Sequence, residues 1–404
     1  MPLVNKDGSE FDSRNVERKS IGELRKEAIL PDIDGFYNID TVKVDAVLIS
    51  HPHLDHYGLG HFVNTKIPFY LGEATHKLID ITRLFIGRGL EISKAHYFDH
   101  RETLSIGDLT ITPYLNDHSG FNAYGFLIEG DGKRIYYTGD FRAHGRKEGI
   151  FHQFVNDPPA NIDCLLMEGT NIGNVEKTCQ KEEKLEDELI TIINESSKLT
   201  LFQTSGQNID RLVTFFRACR RSNKILVLDI YTSTVLFNLF KFRNTLPYPS
   251  KSFPEIKVFF TKFHADILGK NDHDKLLYYF NNFRVRKEDI EANPEKYVMI
   301  TRPSMKYILD KLNNIDGGDY IYSLWGGYLE KEWERQFKDY LINRGFEFHH
   351  IHTSGHADLK TLKKMVNAVN PKWIIPIHTF NSRDYEEHFS HPVKVMQDGE
   401  TLNV

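Results

Sequence analysis

The hexapeptide His51-Pro52-His53-Leu54-Asp55-His56 puts four metal-competent side chains within six residues. It follows directly on residues 44–50 (VDAVLIS), an apolar, β-branched run that reads as a buried strand. His51 and His53 stand two apart, so in extended backbone both point the same way. Asp55 and His56 follow as the chain turns toward the glycines at 58 and 60, which can aim them at a neighbouring point. Imidazole and carboxylate suit Zn²⁺ or Mn²⁺. A chance cluster of surface histidines is the bland alternative, and their density after a buried strand argues against it. Two ligands per ion is too few, so others must come from elsewhere in the chain. His118 lies in LNDHSG after a strand at 109–115, Asp140 in YYTGDFR after a strand at 133–138, and His378 in WIIPIHTF after a strand at 373–377. Each alone reads more readily as a surface or core residue. Together they make seven ligands, enough for two ions sharing one carboxylate. A two-metal site about 3.5–4 Å across activates a bridging water and clamps a phosphoryl oxygen.

The elements that must position these residues change character along the chain. Its 404 residues suggest two to three domains. With 40 % apolar and 26 % charged residues it reads as a globular protein, not a disordered, collagen-like or disulfide-stapled one. A formal net charge of −5 excludes a uniformly basic nucleic-acid coat but leaves room for a local basic groove. The three cysteines form no CxxC pair, which argues against cysteine zinc sites and fits a reducing cytoplasm. No run is apolar enough for a transmembrane helix, and residues 1–19 lack the apolar core of a secretory signal. Up to Gly169 the pattern is strand-rich, with a helix at 72–86 and strands at 109–115, 122–129, 133–138 and 162–167. Gly130-Asp131-Gly132 signals a hairpin between the second and third of these strands. From 181 to 324 strands and helices alternate, which implies a parallel α/β sheet. After about 345 come FEFHHI, a helix at 357–369, WIIPI and VKVM. The expectation is a strand-rich domain over 1–170, an α/β insertion over 171–345, and a return to the first domain over 346–404. The return follows from His378 sharing a ligand set with Asp140; two consecutive domains would separate them.

HPHLDH with His118 and Asp140 resembles the metallo-β-lactamase superfamily. MEGT (167–170), TSGHAD (353–358) and PIHTF (376–380) resemble motifs A, B and C of its β-CASP branch, which includes ribonuclease J and the cleavage/polyadenylation endonucleases. PKWIIPIHTF is similar to the ribonuclease J stretch, and GQNIDRL (206–212) and YSLWGGYL (322–329) resemble recurring stretches of that branch's insertion. The resemblance covers roughly residues 40–404. It implies a metallo-β-lactamase αββα sandwich with an inserted α/β β-CASP domain. It further implies that His51, His53 and His118 hold one ion, that Asp55, His56 and His378 hold a second, and that Asp140 bridges them. Two divalent ions are expected, zinc first and manganese as the alternative. The implied catalytic residues are Asp55, which can accept a proton from the attacking water, and His356 and Glu168. His356 would contact the scissile phosphate and help protonate the leaving oxygen, with Glu168 orienting it. A carboxylate beside an imidazole stabilises its protonated form. The alternative for His356 is a first-turn residue of the helix 357–369, whose Leu359, Leu362, Met365, Val366 and Val369 face the core. His349, His350 and His352 read as strand residues and not ligands, and His144 and His152 as surface. A histidine at motif C accompanies RNA-cleaving members of the branch, so His378 favours RNA.

Family members open with a strand hairpin carrying a first-motif aspartate, followed by a segment much like MPLVNKDG, at which this chain starts. A sheet edge short of two strands is therefore expected, to be covered by upstream residues or a partner, or left as a weakness. The extra C-terminal domain that assists oligomerisation in ribonuclease J also has no counterpart after motif C; a homodimer stays open as a partner expectation.

The densest basic stretch is Arg211, Arg217, Arg220, Arg221 and Lys224, then Lys241, Arg243 and Lys251, which reads as a solvated face or an RNA groove. Ser205 and Asn208 precede a helix whose backbone N–H groups could receive a phosphate. Ser323 and the turn at Gly326 could do the same, beside Trp325 and Tyr328, which could stack a base or pack in a core. With Arg211 these are the expected substrate contacts. The function expected is metal-dependent hydrolysis of single-stranded RNA by a water activated between two ions, leaving a 5′-phosphate, in endo- or 5′–3′ exonucleolytic mode. The alternatives are a DNA nuclease of the same branch, a catalytically weak RNA-binding or scaffold protein, and a small-molecule hydrolase. For the last of these, an insertion of about 175 residues would be a large lid.

Overall fold

A computed structural model describes residue 11, residues 13–173 and residues 178–403. The MPLVNKDG segment, on which the expectation of a shortened sheet edge rested, lies outside the described residues. The chain divides into two compact units. One takes in the chain up to Ala143, Lys147–Thr178 and everything from Gly355 onward; the other takes in His144–Arg146 and Cys179–Ser354.

In the first unit a parallel three-stranded sheet is made of β1 (Val47–Ile49), β2 (Phe69–Leu71) and β3 (Ala95–Tyr97). A second sheet holds β4 (Leu104–Ile106), β5 (Leu109–Leu115), β6 (Tyr124–Gly130), β7 (Lys133–Tyr137), β8 (Cys164–Glu168) and the last strand of the chain, Trp373–Ile377. Side chains alternate across this sheet with the two-residue period of a strand. Ile111, Tyr124, Phe126 and Tyr137 pack against Leu48 and Tyr70 of the small sheet. Leu127, Tyr136, Leu165 and Met167 face the other way, onto Phe151 and Phe154 of the helix Glu148–Asn156 and onto Leu362, Met365 and Val366 of the helix Leu359–Val369. The small sheet is covered on its outer face by the helix Glu73–Ile86, whose Ile79 joins Ile49, Phe69 and Leu71. The layers are therefore helix, sheet, sheet, helix, as expected.

The second unit is a seven-stranded parallel sheet with helices between its strands. Its members are β9 (Thr200–Gln203), β10 (Ile225–Asp229), β11 (Ile256–Phe259), β12 (Arg284–Val285), β13 (Tyr297–Ile300), β14 (Asp319–Tyr322) and β15 (Glu347–His350), in the spatial order β12-β11-β10-β13-β9-β14-β15. β15 is the FEFHHI segment that the sequence pattern assigned to the returning chain. Pairing of Asp319 with Glu347 through Tyr322 with His350 adds it to the insertion's sheet instead. The insertion so ends at Ser354, not 345. The final strand, β16 (Trp373–Ile377), pairs with β8 in the first unit, from Trp373–Cys164 to Ile377–Glu168. VKVM forms no strand; Val393 contributes one isolated bridge to Ile374. β2, β3 and β4 were not anticipated, because three-residue strands carry too little alternation to register.

In the larger sheet of the first unit, β16, β8 and β7 run parallel, and β5 runs with them because β6 lies antiparallel to both its neighbours. Four carboxyl ends therefore emerge along one edge. Asn116 Nδ2 ties two of the following loops together by donating to Thr138 O (2.7 Å) and Asp140 O (3.2 Å). Gly139, with φ of 56°, makes the left-handed step that turns Asp140 off the end of β7; a Cβ there would lie 2.4 Å from Tyr124 O. Gly139→Ala is expected to destabilise the protein by about 3 kcal/mol, the upper end for a forced backbone conformation because the carbonyl must also move. Urea unfolding against wild type measures it, and an unchanged midpoint would refute the steric account.

Candidate metal centre

Each chemistry-bearing residue follows a strand end. His51 comes two residues after β1, His118 three after β5, Asp140 three after β7, Glu168 closes β8 and His378 follows β16. His53 caps the short helix Leu54–Tyr57, which carries Asp55 and His56. His356 lies just before the helix Leu359–Val369, whose N-terminus is capped by Asp358 through Thr361 N.

These segments converge on one carboxylate oxygen. Asp140 Oδ2 lies 3.1 Å from His56 Nε2, 3.4 Å from His51 Nε2, 3.8 Å from His356 Nδ1, 3.9 Å from His118 Nε2 and 4.0 Å from His378 Nε2. His51, His53, His118 and Asp140 offer donor atoms all within 4.8 Å of one another, and so do Asp55, His56 and His378. The seven residues proposed from the sequence thus come together as two sets around Asp140. They differ in access: His51, His118 and Asp140 are buried, whereas the side chains of Asp55 and His378 are each 30 % exposed.

The donor chemistry fits divalent cations. His118 Nδ1 must donate to Gly355 O at 2.7 Å, which fixes the tautomer and leaves Nε2 as a lone pair facing His53 Nδ1 at 3.0 Å. His51 Nδ1 is engaged by Ser50 Oγ at 3.0 Å, which leaves Nε2 for the centre. His51 Nε2, His56 Nε2 and Asp140 Oδ2 are buried without a hydrogen bond of acceptable geometry, which a shared cation would remedy. Burial pushes the His53 imidazole down to about 3 and His118 well below its usual value, with their histidine neighbours adding to the effect, so both stay neutral donors. Asp140 is held well below the carboxylate range: burial opposes its charge, and the surrounding imidazoles outweigh burial. At His378 burial disfavours charge, but Asp55, Asp140 and Glu168 overcome it and raise the imidazole to about 9. The same carboxylates favour a divalent cation in the place of that proton.

Behind the centre, Glu168 is fully buried and accepts from Ala357 N (3.1 Å) and Thr170 N (3.0 Å). His356 Nδ1 stands 3.6 Å from Glu168 Oε1. Burial pulls the His356 pKa down, and the Glu168 and Asp140 carboxylates more than offset it, so the net direction is upward.

The expected substrate contacts divide. Arg211 is fully buried: Nε donates to Glu182 Oε2 and Nη2 to Glu182 Oε1, both at 3.2 Å, and Nη1 reaches Ser323 and Ile351 O. Ser323 is 1 % exposed and donates to Ile351 O. Both are corrected from substrate contacts to a buried polar knot. Asn208 caps the helix Ile209–Arg221 through Arg211 N, and Ser205, Trp325, Gly326 and Tyr328 reach the surface. Part of the basic stretch is paired with acids. Arg217 and Arg221 pair with Glu186, Arg220 pairs with Glu255, and Lys224 donates to Glu295 O. His144, expected at the surface, is 5 % exposed and donates from Nε2 to Ser354 O at 2.8 Å.

The sequence did not reveal the ion pair of Asp117 with Arg142, whose side chains are both fully buried. Arg142 N also donates to Asp117 O at 2.7 Å. The pair links the loop bearing His118 to the loop bearing Asp140; its sequence signal is only that each charge sits within two residues of a ligand.

Comparison with known proteins agrees with this geometry. Residues 36–201 match the β-lactamase superfamily domain family, and residues 342–391 match a Zn-dependent metallo-hydrolase RNA specificity domain. The chain belongs to the metallo-β-lactamase superfamily, in its β-CASP, ribonuclease J-like branch. It is 22 % identical over 342 residues to ribonuclease J of Mycoplasma genitalium, covering 83 % of this chain and 58 % of that one. It is 31 % identical over 199 residues to endoribonuclease YSH1 of Mycosarcoma maydis, covering 43 % of this chain and 22 % of that one. The chain thus spans less than two thirds of the length of these relatives. A crystal structure of a protein of unknown function from Enterococcus faecalis V583 shares the fold, with a TM-score of 0.78 at 18 % identity over 97 % of this chain and 91 % of the other. Among the described residues no helix is long and apolar enough to cross a membrane.

Removing one member of a buried charge pair costs about 3–5 kcal/mol. Arg142→Met is expected to lose stability on that scale in urea unfolding. It should also lose more zinc on dialysis than the surface variant Arg220→Met. Equal stability to wild type would show that the pair is not a structural tie.

Proposed function

We propose that the protein is a metal-dependent ribonuclease that hydrolyses phosphodiester bonds of single-stranded RNA in the cytoplasm and leaves a 5′-phosphate. The observation that carries this reading is Asp140 Oδ2, within 4.0 Å of five imidazoles drawn from distant segments, with His356 and Glu168 beside it. The match to an RNA specificity domain and the relatives named as ribonucleases support RNA as the substrate. Buried free cysteines fit a reducing compartment.

His51, His53 and His118 would hold one ion, and Asp55, His56 and His378 the other, with Asp140 bridging. Mixed imidazole and carboxylate donors favour zinc. Bound there, divalent ions supply Lewis acidity, neutralising a phosphoryl oxygen and lowering the pKa of a water. Asp55, partly exposed and ionised, would take up at a carboxylate oxygen the proton lost by the attacking water as the water oxygen forms its bond to phosphorus. Glu168, held by two backbone N–H groups, keeps the His356 imidazole oriented through Nδ1 and favours its protonated form. His356 then gives the Nε2 proton to the 3′-oxygen as the P–O3′ bond breaks. The phosphate stays on the 5′ side of the downstream product.

Zinc-loaded protein incubated with 5′-labelled single-stranded RNA and a matched DNA strand tests the reading. RNA cleavage to 5′-phosphate ends is expected, abolished by chelation and lost in Asp140→Ala. Activity retained by Asp140→Ala, or DNA cut as fast as RNA, would overturn it. His356→Ala should lower kcat by about 10²–10⁴, the usual worth of general acid catalysis, with zinc content unchanged. A wild-type kcat in that variant would remove His356 from the reaction.

A further inference from the structure

Trp325 and Trp333, two of the chain's three tryptophans, are 56 % and 51 % exposed. Such rings on a surface call for an explanation. We propose that Trp325, Tyr328 and Trp333, with the ammonium of Lys331, form a base-stacking platform for single-stranded RNA. This rests on the ribonuclease reading and adds to it a contact that the metal centre cannot provide.

The rings are held in place and not merely left outside. The benzo edge of the Trp325 indole lies against Gly327, where a Cβ would come within 2.3–2.6 Å of three ring atoms. Only glycine leaves the ring that position. The Tyr328 ring meets Trp325 edge to face, with centroids 5.4 Å apart and planes at 85°. Lys331 Nζ sits 5.6 Å from the Tyr328 centroid and 5.1 Å from that of Trp333. Rings fixed in advance lose little entropy when a base stacks on them.

The composition of the patch favours a nucleic acid over a protein helix. Among the described residues, the exposed large hydrophobics between 319 and 343 are these two tryptophans and one aliphatic, Ile342, nine residues beyond Trp333 on the helix Glu332–Asn343. An amphipathic helix would want aliphatic neighbours, whereas a base needs only a ring face. Lys331, Arg335 and Lys338 stand among Glu330, Glu332, Glu334 and Asp339, so the segment carries no excess of positive charge. Stacking, not phosphate neutralisation, therefore supplies the attraction. With Lys331 as the single cation between rings, the logarithmic salt slope should be shallow, about −0.7 for one phosphate on a single strand.

Intrinsic tryptophan fluorescence of the full chain, titrated with a ten-nucleotide phosphorothioate-linked oligoadenylate, tests the platform. Saturable quenching with a shallow salt slope is expected. Trp325→Ala should weaken the Kd about 10-fold, within the usual range for one stacked base. Trp325→Phe should keep wild-type affinity while losing part of the quench, and Gly327→Val, which displaces the indole, should behave like Trp325→Ala. An abasic strand of the same length should bind much more weakly. Equal affinity of Trp325→Ala and wild type, or of the abasic and adenylate strands, would overturn the proposal. So would self-association abolished by Trp333→Ala with no quenching by RNA, which would assign the rings to a protein interface. Binding is read without turnover, so the two ideas fail separately. RNA cleavage with unaltered Trp325→Ala binding removes only the platform, and ring-dependent binding without cleavage removes only the ribonuclease.

Discussion

A single buried carboxylate oxygen organises the first unit. Asp140 Oδ2 faces five imidazole nitrogens at 3.1–4.0 Å. A carboxylate accepts hydrogen bonds and has none to give to an imidazole lone pair, so inward lone pairs crowded around it repel it and one another. The arrangement is stable only with positive charge among the nitrogens, whether as protons at His356 and His378 or as divalent cations. Much of the surrounding structure serves that constraint. Parallel strands β5, β7, β8 and β16 deliver their carboxyl ends to one edge, Gly139 turns the chain by a left-handed step just before Asp140, and Asn116 locks the two loops beside it.

The sequence made the ligand set legible because four of its members crowd into the hexapeptide 51–56 after an apolar strand and the other three each follow a further strand. Strands at 109–115 and 373–377 were read to the residue, their alternation being long enough to register. Two kinds of feature stayed hidden. Three-residue strands such as Ala95–Tyr97 are stabilised by sheet partners more than by their own pattern. β15 was assigned to the wrong unit because nothing local tells a strand which sheet will pair with it; the decision lies in its register with β14. Buried charges were the other gap. Arg211 looks like a groove cation on a basic helix, yet Glu182, 29 residues upstream and on another helix, takes its guanidinium into the core.

That misreading has a physical moral for the insertion. Several of its arginines pair with acids of the same unit, and Glu186 alone serves Arg146, Arg217 and Arg221. Exposed pairs of this sort add little stability individually. Their larger effect is to reduce, without cancelling, the field that a basic stretch would project, because Glu186 and Asp187 face three guanidiniums. On the proposed reading, exposed aromatic rings would add stacking to that reduced attraction.

The two donor sets around Asp140 differ in burial, and the difference bears on how the centre would work. The set with His51 and His118 is closed to solvent and braced by Gly355 O, Ser50 and the Asp117–Arg142 pair. The set with Asp55 and His378 is partly open, and His378 takes a left-handed backbone, φ 52°, that a histidine adopts only when its surroundings require it. A buried, braced set holds a cation tightly because its donors lose little freedom on binding. An open set can exchange a water or a phosphoryl oxygen without disturbing the first. On the proposed reading, such a division would make the buried group the anchor and the open group the face that meets substrate. His356 and Glu168, beside Asp140, would there hold a proton ready for the departing oxygen.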